Sequence, residues 1–136
     1  MSLKKPEYIA TAQIDDNRIR YEWDDWKQRK YYGEIEDEDF LARAEGLSYR
    51  ANTALTIACA EWTVYRFDTL SDDPLPYAYI EAAWAGAVDY RYLNQWEPPD
   101  KDWLGPIRSP IAVALLNIKE AIGGAVHEIG LGIPAC

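Results

Sequence analysis

Residues 38–68 carry the longest helical pattern in this chain, and any fold it adopts must be arranged around them. Phe40, Ala44, Leu47, Ala51, Ala54, Ala58, Trp62 and Tyr65 recur at three- or four-residue steps, which places them on one face of an α-helix. In the middle, residues 54–60 (ALTIACA) bear no charge on any side, as expected of a helix enclosed by other elements. The pattern predicts one continuous helix over 38–68, with Gly46 as a tolerated weakness.

Two more helices follow. Asp73-Pro74 is a cap followed by proline, and it opens a helix over residues 75–96. Its small side, Ala78, Ala82, Ala85 and Gly86, would let the alanine-rich centre of the long helix come close. Residues 97–106 (EPPDKDWLGP) read as a loop. Ser109-Pro110 repeats the cap-then-proline signal, and Ile111, Leu115, Ile118, Ile122 and Val126 continue as an apolar stripe. Gly123-Gly124 kinks or ends this last helix. Leu47 to Tyr49 and Leu75 to Tyr77 stand 28 residues apart in matching register, a pattern that two alanine-rich amphipathic helices also produce by chance.

Residues 14–33 allow two readings. A hairpin would turn at Asp15 to Asn17 and alternate Ile19, Tyr21 and Trp23 on one face. A helix would place Ile19, Trp23, Trp26 and Lys30 together and stop at Gly33. The helix is preferred, because DDWKQRKYY continues the helical pattern past the point where the alternation fails. Residues 34–39 (EIEDED) form an acidic connector, with Asp37 as the cap of the long helix and Glu38 and Asp39 at the positive end of its dipole. Residues 1–13 show no clear pattern and, with 130–136, are expected to be loosely ordered.

The expected fold is therefore all-α: a single-domain helical bundle of three or four main helices around the long one. A chain of 136 residues suits one domain, and its 49% hydrophobic and 27% charged fractions are those of a folded protein. No uncharged run approaches the about 20 residues of a membrane helix, and no secretory signal opens the chain. With Cys59 in the apolar centre and Cys136 at the end, a structural disulfide is not expected and the reducing cytoplasm is the default location.

Catalytic chemistry finds little to work with. His127 is the single histidine, and Leu131 stands where a zinc-protease helix needs its second one. There is no CxxC, GxSxG, GxGxxG or phosphate-binding glycine loop. No cofactor, metal or catalytic residue is assigned. Carboxylate-only chemistry stays open: Glu45, Glu61, Glu81, Asp89 and Glu120 lie in or beside helical segments, and several could converge on Mg2+ to act on phosphorylated substrates. The plainer reading pairs Glu45 with Arg43 and Arg50 on its own helix.

Recognition is better supported. Ten tyrosines and six tryptophans stand against two phenylalanines, so most aromatic side chains carry a polar handle suited to half-buried or binding positions. They concentrate with basic residues in 18–32, and aromatic and arginine side chains dominate binding hot spots. Tyr21, Trp23, Trp26, Tyr31 and Tyr32, followed by Glu34, Glu36 and Asp37, are the candidate partner-binding residues. A formal charge of −9 opposes binding to nucleic acid or anionic lipid and favours a basic protein partner. The leading expectation is a non-enzymatic, acidic, cytoplasmic protein-binding domain, of inhibitor or immunity type. A small Mg2+ enzyme, a structural fragment of a larger helical protein, and a homo-oligomer remain the alternatives.

Overall fold

The continuous helix expected over residues 38–68 is two helices. In the computed structural model, which describes residues 4–16, 18–26, 37–92, 96–99 and 101–128, the helices are α1 (Glu7–Ala12), α2 (Glu38–Glu45), α3 (Tyr49–Arg66), α4 (Leu75–Val88) and α5 (Gly105–Glu128). A 3-10 turn, Tyr90–Tyr92, follows α4, and no strand occurs among the described residues. The fold is an all-α bundle, with α3 packed chiefly on α5 and next on α4.

The break comes from a second cap. Gly46 closes α2, Ser48 turns extended at φ −65° and ψ 159°, and its hydroxyl accepts from the Ala51 amide at 3.1 Å. A serine in that conformation satisfies one of the orphan donors of a new helix. Asn52 bridges the break by donating to the Ala44 carbonyl at 3.0 Å.

The face that α3 buries also differs from the one its periodicity suggests. Thr53, Ile57, Ala60, Glu61, Val64 and Tyr65 are buried, while Phe40, Leu47 and Trp62 are exposed and Ala51, Ala54 and Ala58 are half-buried. ALTIACA is apolar all round, so periodicity cannot choose its inner face; the arrival of α4 and α5 does. Cys59, expected in the interior, is exposed and free.

The start of α4 follows expectation, with Asp73 accepting from the Leu75 amide at 2.9 Å next to Pro74. Its end does not: the helix stops at Val88, because Asp89 is extended and holds Arg91 by a 2.6 Å ion pair. Pro76, Tyr77, Tyr79, Ile80, Ala83 and Gly86 face inward. Of the small side, only Gly86 is buried; Ala78 and Ala85 are exposed. The 28-residue register is kept only in part: Leu47 and Leu75 are both exposed and Ala54 and Ala82 both half-buried, but Tyr49 is exposed and Tyr77 buried.

α5 begins four residues before Ser109, which is fully buried. Gly105 takes φ +94°, a conformation that favours glycine, and Pro106 follows inside the first turn, where a missing N–H costs nothing. The helix continues through Gly123 to Glu128 instead of ending at the glycine pair. A glycine costs a helix only about 1 kcal/mol. Burying Ile111, Leu115, Ile118 and Ile122, at about 1.5–3 kcal/mol each, outweighs that.

α1 forms where no pattern was evident, and docks through Ile9, which is 1% exposed. The expected loose order of 130–136 lies outside the described residues. No helix among the described residues is long and apolar enough to cross a membrane.

Candidate interaction surface

Residues 14–16 and 18–24 are not helical, which corrects that part of the helix preferred over 14–33; Asp25 and Trp26 are helical, and residues 27–33 lie outside the described residues. Long-range hydrogen bonds hold this segment out of a helix. Arg66, in the last turn of α3, donates to the carbonyls of Asp16 at 2.9 Å and Arg18 at 3.0 Å. The Asp16 carboxylate accepts from the Arg18 amide at 2.9 Å and pairs with Arg20 at 3.0 Å. That backbone hydrogen bond, aided by Arg20 and the Arg18 side chain, holds the Asp16 carboxyl below the usual range.

Downstream, the same segment caps α5. Asp25 accepts from the Gly105 amide and from the Trp23 indole, both at 3.1 Å. Tyr21 donates to the Pro106 carbonyl at 2.5 Å. Pro110 explains that bond: four residues on from Pro106, it has no N–H to give, so the carbonyl lacks its ordinary helical donor. Tyr21 supplies one, and stacks edge-on to Trp23 at 6.2 Å.

The candidate binding residues therefore divide. Tyr21, Trp23 and Asp25 hold α5 in place, although Tyr21 stays 42% exposed. Trp26 projects into solvent at 80% exposure. Asp37 is exposed and accepts from the Phe40 amide at 3.0 Å, as the cap of α2. Tyr31, Tyr32, Glu34 and Glu36 lie outside the described residues.

Much of the aromatic surplus goes into packing. Tyr79, Trp96 and Trp103 form an edge-to-face chain at 6.0 and 6.1 Å, and the Arg108 guanidinium lies 4.3 Å over Trp103. Tyr65 and Tyr77 meet edge-on at 5.1 Å, and Tyr77 donates to Asp68. Burial first, and then Asp68, drives the Tyr77 phenol well above its ordinary range. Burial and the Glu97 charge push Tyr79 up to about 12.

The sequence pattern did not point to an open groove of about 760 Å³ between α2, α3 and α5. Trp23, Phe40 and Leu55 contribute apolar walls to it, and Cys59 opens onto it. α2, at its lip, has no buried residue. The signal was present in the sequence as Phe40 and Ala44, which periodicity assigned to the core, while Leu55 stood outside that stripe.

Glu61 is the carboxylate that the structure does bury, at 5% exposure. It accepts from the Tyr8 hydroxyl at 2.5 Å and the Trp84 indole at 3.2 Å, and does not meet Asp89 or Arg91. Tyr8 is 46% exposed as a residue, yet its hydroxyl reaches the buried Glu61; burial, then the Glu61 hydrogen bond and charge, raise its pKa strongly. Glu45 forms no ion pair with Arg43 or Arg50 among the described residues. Nor do the described residues contain a group of three or more His, Cys, Asp or Glu placed to hold a metal ion. No protein-family model matches this sequence, and no curated protein or solved structure is significantly similar to it.

Proposed function

We propose that this is a non-enzymatic, acidic protein-binding domain that covers a basic partner, in the manner of an inhibitor or immunity-type protein. The groove and its uncovered margin carry the reading. Phe40, Leu41, Leu47 and Leu55 are each more than a third exposed along α2, α3 and the break between them, and Trp26 is 80% exposed on the segment that leads to the groove wall. Contiguous apolar surface rimmed by polar residues marks interaction sites, and tryptophan is the residue most often found at their energetic centre. A charge of −9 would speed encounter with a basic surface without itself determining affinity. Cys59, exposed and free, suits the cytoplasm as the place of action.

The test is capture. Immobilised protein is incubated at low salt with extract of the native host, beside a Trp26→Ala, Phe40→Ala form. A retained protein that the double variant releases is the expected result. Retention of nothing, or equal retention by both forms, refutes the proposal.

A further inference from the structure

Among the described residues, α2 is held by its Asp37 cap and by Asn52 on the Ala44 carbonyl, with no buried side chain of its own. It has eight residues, well short of the about 12–15 at which isolated helices persist in water. Helices of this length are held by packing of an apolar side, and Phe40 and Ala44 turn that side toward the groove.

The other two walls are helical stripes. On α3 the groove follows Asn52, Leu55 and Thr56, Cys59 and Thr63; on α5 it follows Pro110, Val113 and Ala114, Asn117 and Ala121. Each stripe spans about three turns, roughly 16 Å at 1.5 Å per residue. The two threonine hydroxyls on the α3 wall are engaged, and Asn52 gives one amide hydrogen to the break before α3. Thr56 donates to the Asn52 carbonyl at 2.9 Å, Thr63 to the Cys59 carbonyl at 3.0 Å, and Asn52 to the Ala44 carbonyl at 3.0 Å. The threonines thus add methyl groups and no unmet hydrogen-bond demand. An apolar trough three turns long accepts one face of a short helix, read through anchors at i, i+3 or i+4, and i+7.

Charge selects the kind of helix. Asp37, Glu38, Asp39 and Glu45 flank or belong to α2, and Glu120 stands in the α5 wall; the neighbouring cations are Arg43 and Arg50. Five against two leaves a net −3 among these seven side chains, most of it on α2 and its cap. None of the seven forms an ion pair among the described residues. We propose that the groove receives a basic amphipathic helix of a partner protein, about three turns long, with its apolar face on Leu55, Val113 and Phe40 and its lysines or arginines over the acidic rim. This rests on the protein-binding reading above and names the partner's chemistry.

The probe is a synthetic 14-residue peptide with leucine at i, i+3, i+4, i+7 and i+11 and lysine elsewhere, titrated into isotope-labelled protein. Saturable binding is expected, with amide shifts centred on Leu55, Val113 and Ala121. A scrambled peptide of equal charge should bind at least about tenfold more weakly, since it lacks the apolar face. Phe40→Ala with Leu55→Ala should cost about tenfold, and Glu120→Lys severalfold with a shallower salt dependence. Both apolar sites are more than a third exposed, and thermal melts of the variants confirm that the fold is kept. Equal binding of the scrambled peptide, or shifts away from the groove, overturns the proposal. So does a concentration-dependent dimer whose shifts map to the groove, or groove shifts on deletion of residues 129–136, because either assigns the groove to the chain itself. The Phe40→Ala, Leu55→Ala form is also put through the capture assay with Trp26 intact. If a host protein is still retained there, the groove inference falls and the broader protein-binding reading stands.

Discussion

Replacing Tyr21 by phenylalanine removes one oxygen and isolates the bond that joins the extended segment to α5. Its hydroxyl donates to the Pro106 carbonyl, which Pro110 leaves without a helical donor. A typical intramolecular hydrogen bond contributes about 0.5–1.5 kcal/mol net. Tyr21 is 42% exposed, so water can reach the carbonyl in its place, and the cost should lie near the middle of that range, about 1 kcal/mol. The ring contact with Trp23 is retained. For a domain of this size the loss corresponds to roughly 3–4 °C in Tm. The second arm of the cycle is Pro110→Ala, which returns an N–H to position 110 and lets it close the bond to Pro106. In that background Tyr21→Phe should cost less than about 0.3 kcal/mol, leaving a coupling of roughly 0.7 kcal/mol or more. Urea unfolding of the four proteins, followed by tryptophan fluorescence and far-UV circular dichroism, measures it. A Tyr21→Phe cost that is the same in both backgrounds would refute the link between the tyrosine and the proline.

Two further outcomes follow from buried polar groups. Glu61→Ala leaves the Tyr8 hydroxyl and the Trp84 indole without their acceptor inside the bundle, and should destabilise by about 2–3 kcal/mol in chemical denaturation; a loss below about 0.5 kcal/mol would mean that α1 is not held through Glu61. Alkali should also unfold the protein earlier than a chain with solvent-exposed tyrosines. Tyr8, Tyr77 and Tyr79 have native pKa values raised above the ordinary 10.0, Tyr79 to about 12. The unfolded chain therefore gives up protons first. The stability they contribute is intact below about pH 10 and is lost as pH rises through the native values. Stability should hold from pH 9 to about 10 and fall from there to 12, and Tyr77→Phe should flatten the decline; a level profile above pH 10 contradicts the assignment.

Cysteine and aromatic content show how far composition can mislead about a site. Trp103, Tyr65, Tyr77 and Tyr79 are buried, so much of the surplus that suggested a binding surface is core. Trp26 alone among the described members of the candidate set is both aromatic and mostly exposed. Cys59 went the other way, from expected core to groove.

The all-helical class, the capping aspartate Asp37, the Asp73-Pro74 start of α4 and the α5 stripe from Ile111 to Ile122 were determined by the sequence alone. Periodicity and caps act within one or two helical turns, and those residues express them without competition. The inner face of α3 was not determined in this way, because a helix that is apolar on every side buries whichever face its neighbours reach. The role of Tyr21 was equally out of reach. It answers a carbonyl 85 residues further along the chain, left unpaired by a proline whose own signal reads as the start of a helix. Only the tertiary structure brings α5 against residues 18–26, and with it the groove that α2 leaves open.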